Sequence, residues 1–418
     1  MPSFKRGLLL VALPFVLNAE GLKSLLEHAQ KSNELIVSKS LLVDSKESEV
    51  KSSESNYYPT VDVGAMYQRY DEATPFSPTT TYSGYATLGW DVYNGGKRSN
   101  TLKQKKEEFR SSKYEYEASK KDISLAIVED FYNYKTLEAS LEARIEASNA
   151  VKAQLNRMQQ FYDAALATSD DVDRLQSAYD SNIYNIESIK FEMLKVKKSL
   201  ELKVGKNIDS FDASNFVKEQ TQMPEELDSI KALRAQKSAT LSLSETLDSF
   251  YYPQIRIEDT YSFMGYDEIP SFPGVGTIDL PEQQNKLMAT LNLRLVDFGA
   301  IGEQKAAVKL SADSLNEQIL YKDKEQKMQQ DLALSRITTA KLNIKSAASA
   351  MKSANSALET ITKKYNNGIV DNVVYLDALS SQTESKSMYE ASLNNLELSY
   401  ALYYYYNSKK LEEFLDEN

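Results

Sequence analysis

The sequence predicts a mainly α chain with a membrane β-barrel portion, built from one helix–strand–strand–long helix–helix unit written twice. Three observations carry that class. Helix breakers are scarce: there are 14 Gly and 10 Pro in 418 residues, and none across 97–204, 303–367 or 369–418, whereas ordinary globular helices end within about 20 residues. Four short segments alternate apolar and polar residues with the period of a half-buried strand. The third observation is repetition, the mark of an internal duplication. Tyr57-Tyr58-Pro59 recurs as Tyr251-Tyr252-Pro253 at an offset of 194, and Tyr67 as Tyr261. "VYNGG" at 92–96 recurs as "LVDFG" at 295–299, and Tyr162 as Tyr365, now at an offset of 203.

Residues 5–19 read "KRGLLLVALPFVLNA", with two positive charges, an apolar run over 7–17 and a small residue at Ala19. That is the pattern of a secretory signal over 1–19, cut before Glu20. Losing Lys5 and Arg6 takes the formal charge from −11 to −13. The acidic balance argues against a nucleic-acid partner, which selects a basic face. With no cysteine, there is no disulfide framework, no thiolate metal site and no lipid-modified N-terminal Cys. Beyond the signal no run of about 20 apolar residues could span a bilayer as a helix.

The first repeat covers 20–204. It opens with a helix over 22–55, followed by strands over 59–70 and 82–93, a long helix over 97–165 and a return helix over 170–203. A polar connector, 205–224, leads to the second repeat, 225–406. Its opening helix covers 225–250, its strands 253–265 and 286–296, its long helix 300–367 and its return helix 371–406. A polar C-terminal tail, 407–418, remains. At about 1.5 Å per residue each long helix is a rod near 100 Å.

In the first strand Val61, Val63, Ala65 and Tyr67 oppose Thr60, Asp62 and Gln68. The second sets Tyr82, Ala86, Leu88, Trp90 and Val92 against Ser83, Thr87 and Asp91. In the third, Ile255, Ile257, Tyr261 and Phe263 oppose Gln254, Arg256, Glu258 and Thr260; the fourth alternates from Leu287 to Leu295. Such strands also suit one sheet of a soluble α+β domain. Aromatic residues near the strand ends (Tyr57, Tyr58, Tyr82, Trp90, Tyr93, Tyr251, Tyr252) favour a membrane, because amphipathic rings settle at its interfaces. Four strands cannot close a barrel in lipid, where an open edge leaves backbone groups unsatisfied and about eight strands is the minimum. Copies must therefore pool their strands, and a homotrimer gives a 12-stranded barrel.

The helices carry heptad-like stripes. Ile337, Ala340, Ile344, Ala347, Met351, Ala354, Leu358, Ile361 and Tyr365 step by three and four, as do positions from Val172 to Leu200. This spacing predicts paired helices wound left-handed around each other.

With these features the chain resembles the TolC-like outer-membrane efflux and secretion channels over about 21–406. The resemblance is carried by "SLLEHAQKSNELI" at 24–36, the "YYP" phrases, "NGG" at 94–96, "DFG" at 297–299 and "KYNNGIVDNVVYLDA" at 364–378. It implies a trimer with a long coiled-coil α-helical tunnel crossing the periplasm, an inner-membrane transporter and a periplasmic adaptor (membrane fusion) protein as partners, and outer-membrane lipid around the barrel. The function expected is a passive exit duct of a tripartite efflux pump or type I secretion system for small molecules or polypeptides. The alternative from another class is an exported coiled-coil scaffold or surface adhesin without channel activity.

The resemblance also implies a periplasmic gate where each long helix breaks. Tyr365 and Asp171 match the positions of a closing hydrogen bond, Asp170 lies beside it, and Asp377 matches a ring of carboxylates. Val374 stands where the family pattern has an acid and Val370 where it has a basic residue, so Val370, Val373 and Val374 are candidates for an apolar constriction. Gly368 and Ala165 mark the tip turns, Ala165 replacing glycine. Thr168, Asp170, Asp171 and Asp371 equally suit helix capping, an account that does not reach Asp377, two turns into its helix. No enzyme is expected, and neither cofactor nor metal. His28 is the only histidine, so no His-based triad or usual zinc site can be assembled, and "GGKR" at 95–98 lacks phosphate-loop spacing.

Overall fold

The computed structural model describes residues 21–416 apart from 73–77, 220–222, 270, 273, 275 and 278. The signal-like segment therefore lies outside the described residues. The helices are α1 (Leu22–Ser32), α2 (Glu34–Ser55), α3 (Lys97–Asp163), α4 (Ser169–Val204), α5 (Asp228–Asp248), α6 (Ala300–Asn366) and α7 (Asn372–Tyr406). The strands are β1 (Thr60–Arg69), β2 (Thr80–Asn94), β3 (Gln254–Asp267), β4 (Ser271–Phe272), β5 (Gly276–Thr277) and β6 (Gln283–Asn292). None of the described helices is long and apolar enough to cross a membrane. The chain is mainly helical, with two 67-residue helices and a four-stranded antiparallel sheet.

Where one opening helix was expected over 22–55, the structure has two. Asn33 divides them because its Oδ1 accepts hydrogen bonds from the N–H groups of Leu35 (3.0 Å) and Ile36 (3.2 Å), capping α2. Its Nδ2 donates to the Lys203 carbonyl at 2.7 Å, tying the break to the end of α4.

The residues form two compact units that cut across the sequence repeats. The first takes the described residues of Met1–Ser38, Glu117–Leu227 and Lys324–Asn418. Its core joins Leu22, Leu25 and Leu26 of α1, Ile127, Val128, Phe131 and Tyr132 of α3, Leu200 of α4, Ile337 of α6, and Tyr400 and Tyr404 of α7. The connector and the tail, expected to be polar, also belong to this core. Ile208 and Phe216 are 1% exposed, as is Leu411, and a short antiparallel bridge pairs Phe216 with Leu415. Tyr404 stacks on Phe414 with ring centroids 4.1 Å apart. The buried Glu397 accepts a hydrogen bond from the Phe216 N–H at 2.7 Å. Each such apolar side chain contributes roughly 1.5–3 kcal/mol on burial, more than a solvated linker would.

The second unit, Lys39–Tyr116 and Asp228–Asp323, contains the sheet, in the order β1-β2-β3-β6. The register collects the apolar set on one face: Val61 pairs with Leu88, Val63 with Ala86, Tyr67 with Tyr82, Ala86 with Tyr261, Trp90 with Ile257, and Ile257 with Ala289. The other face carries Asp62, Thr87, Thr260 and Lys286 in one row, and Asp91 opposite Arg256 in another. A bulge between Asp91 and Tyr93 makes Tyr93, rather than Val92, the partner of Ile255. The ladder stops at Asn292, short of the expected 296, and β4 pairs with β5 in the connection between β3 and β6. Gly64 leaves room for the ring of Tyr85; a Cβ there would stand 2.4 Å from it. One acid, Asp259, interrupts the apolar face between Leu88 and Leu287.

Candidate functional site

The two helix breaks lie in the first unit and close with one backbone pattern. After α3, the N–H of Ala165 donates to Tyr162 O (2.9 Å) and that of Leu166 to Phe161 O (2.7 Å). After α6, Gly368 donates to Tyr365 O (3.0 Å) and Ile369 to Lys364 O (2.9 Å). Both are Schellman closures, which need a left-handed residue just past the helix. That residue is Ala165 at φ 59° and Gly368 at φ 70°. Alanine pays a steric penalty in this region that glycine does not.

The helices that follow are capped differently. Thr168 opens α4 with a full capping box: its Oγ1 accepts from the Asp171 N–H while Asp171 Oδ2 accepts from the Thr168 N–H, both at 3.3 Å. Asp371 opens α7 by accepting from the Val374 N–H at 3.1 Å. Val374 has no oxygen with which to return the bond.

Beneath these turns lies a small apolar cluster of Ala147, Val151, Leu175, Tyr365, Tyr375 and Leu379, with Val370 packed against it. The rings of Tyr365 and Tyr375 stack at 5.0 Å and 15°. Burial raises the pKa of both above the ordinary phenol value; for Tyr365 the Arg157 cation opposes the rise and Asp171 adds to it. The Tyr365 hydroxyl is buried and makes no hydrogen bond.

The expected Tyr365–Asp171 bond is therefore absent from this protomer. Asp171 is engaged by Thr168, whose Oγ1 lies 2.7 Å from its Oδ2, and by Asn372, whose Nδ2 donates to Asp171 Oδ1 (3.2 Å) and O (3.3 Å). Asp170 pairs with Arg174 at 2.9 Å, both well exposed. Asp377 is exposed. Val373 and Val374 are 39% and 38% exposed, while Val370 is half-buried.

Two links between the hairpins were not foreseen. One is the Asn372–Asp171 bond. The other is Arg157, whose Nη1 donates to Asn366 Oδ1 at 2.6 Å and whose Nη2 donates to the Asn366 carbonyl at 3.3 Å. A buried Asn in the first turn of an otherwise apolar helix start was the available signal for Asn372, which is 3% exposed. Among the described residues no group of His, Cys, Asp and Glu is arranged to hold a metal ion.

Residues 25–193 match the family model described as outer membrane efflux protein. No curated protein matches the chain by sequence. Solved structures match its fold. The Campylobacter jejuni CmeC outer membrane channel is 15% identical, with a TM-score of 0.83, covering 94% of this chain and 86% of that one. A membrane protein from Pseudomonas aeruginosa is 14% identical, with a TM-score of 0.81 and coverage of 97% and 99%. The open state of the Neisseria gonorrhoeae MtrE outer membrane channel is 12% identical, with a TM-score of 0.77 and coverage of 93% and 89%. Long helices and a four-strand sheet thus accompany a match to the outer membrane efflux protein model that starts in α1 and ends in α4, and over nearly the whole chain the fold is similar to that of solved outer membrane channels.

Proposed function

We propose that three copies pool their strands into one 12-stranded barrel in the outer membrane, with the helices forming a tunnel that projects into the periplasm. The channel is then the passive exit duct of a tripartite efflux pump or type I secretion system. Energy comes from an inner-membrane transporter, joined to the channel by a periplasmic adaptor. The observation that carries this reading is the sheet. Its outer strands β1 and β6 each have one unpaired edge within the chain, and its apolar face is bare: Val63 is 82% and Leu287 73% exposed. Lipid covers such a face, but it does not satisfy an open edge. Because β1 and β6 run in opposite directions, the β6 of one copy meets the β1 of the next antiparallel, which supports closure without a change of pattern.

In this reading the hairpin ends form the periplasmic gate. The Asn372–Asp171 and Arg157–Asn366 links hold each protomer's hairpins together, Val370, Val373 and Val374 narrow the opening, and Asp170 and Asp377 supply carboxylates around it. Purified mature protein should cross-link as trimers in detergent and conduct ions across planar bilayers. A water-soluble monomer without conductance would overturn the proposal and favour the scaffold alternative.

A further inference from the structure

At the base of the sheet the polar face carries a three-member ion pair that the gate does not use. Arg256 on β3 places Nη1 3.1 Å from Asp91 Oδ1 on β2 and Nε 2.8 Å from Glu258 Oε1. The guanidinium lies against Gly89, where a Cβ would stand 2.8 Å from Nη2. All three charged side chains reach solvent, with 46%, 48% and 29% exposure for Arg256, Asp91 and Glu258. The adjoining recess of about 340 Å³ also receives Lys97 and Arg98. Arg98 is committed to the strand–helix corner: it lies 4.8 Å from the Tyr57 ring centroid and donates to the carbonyls of Asn56 and Val92, each at 3.3 Å. The Lys97 ammonium lies 5.7 Å from the ring centroid of Phe250. In a neighbouring row Asp62 and Lys286 stand at opposite ends, with Thr87 and Thr260 hydrogen-bonded between them at 3.0 Å.

Exposed ion pairs of this kind contribute only about 0–1 kcal/mol to stability. Their larger effect is on the electrical potential, because a charge on a channel wall acts on solutes within a Debye length of about 8–10 Å, and low-dielectric walls focus its field. Two carboxylates bonded to one guanidinium leave Arg256 as the group that compensates them. A forked guanidinium holds both acids at once, as an ammonium does not.

We propose that Arg256 is a selectivity-determining residue of the conduit: by compensating Asp91 and Glu258 it admits anionic and zwitterionic solutes past a level of the wall that bare carboxylates would close to them. This rests on the reading that the polar face lines a barrel pooled from several copies. The test is the reversal potential of the full-length channel in planar bilayers under a KCl gradient. R256Q should raise the permeability ratio of K⁺ over Cl⁻ at least about twofold, R256K, which keeps the charge without the fork, should fall between R256Q and wild type, and the D91N/E258Q pair should move the ratio the other way. An unchanged ratio in R256Q overturns the proposal, and if R256Q does not assemble, an unchanged ratio in D91N/E258Q does so. Absence of conductance in the wild-type protein instead sinks the channel reading itself.

Discussion

The two hairpin ends are related by 203 residues and close with the same backbone hydrogen bonds, yet they divide the work differently among side chains. The end after α3 has an alanine in the left-handed position and a complete capping box. The end after α6 has glycine in that position and a single cap. One is strained at the turn and secured at the next helix; the other is relaxed at the turn and less secured. The lesson is that duplication preserved the path of the chain while letting each copy find its own balance of turn and cap energies. The ends also became unequal partners. Asn372 of the second donates to Asp171 of the first, so the fuller cap doubles as the acceptor of the link.

The largest expected effect comes from removing both links. R157A combined with N372A should raise single-channel conductance severalfold, because it removes both of these charge-assisted bonds between the hairpin ends. Conductance equal to wild type would show that the links stabilise the protomer without holding a gate. The comparison of caps is sharpened by D171A and V374D. D171A should cost about 1–2 kcal/mol in chemical denaturation of the detergent-solubilised protein, whereas V374D supplies the missing return bond and should gain a few tenths to about 1 kcal/mol. If D171A is neutral, the box is not the stabilising element of its hairpin. The turns invert this order: G368A should destabilise by about 1 kcal/mol and A165G stabilise by about the same, and equal responses in both would break the comparison.

The smallest effect is a pH dependence. Burial raises the Tyr365 and Tyr375 pKa values above the ordinary phenol value near 10, so their contribution is fully present below about pH 10. It is lost as pH rises from there through the raised folded values, since the unfolded state ionises first. The alkaline limb of stability against pH should therefore flatten in Y365F/Y375F. Y365F by itself removes a hydroxyl with no partner and should leave stability near pH 7 unchanged or slightly higher, which a bonded Tyr365 would not allow.

The strands and long helices were legible because each is long enough to show its period: Val61 to Tyr67 and Ile337 to Tyr365 declare their faces in sequence alone. The tip turns carry no period and were expected only from the resemblance; the left-handed residues are Ala165 and Gly368. The connector and tail were not legible, because Ile208, Phe216, Leu411 and Leu415 are isolated apolar residues among polar ones and no period links them. Their burial depends on a bridge between segments about 200 residues apart in the chain. Within this protomer Asp171 is engaged away from Tyr365 for a local reason. Asp171 sits three residues after Thr168, where the capping box satisfies it before any distant hydroxyl can. Arg157 and Asn366 were overlooked because a polar pair on two separate helices leaves no pattern along either one.

The four-strand sheet has a consequence for counting. In the proposed assembly, an arc that starts with an ascending strand and finishes with a descending one can join to any number of its own kind, so hydrogen bonding closes a ring without saying how many members it has. In that assembly the number is set by whatever senses angle: the twist and tilt of the strands and the side-to-side fit of the helices. Altering how the rods nestle should change the stoichiometry of the ring while every strand keeps its neighbour.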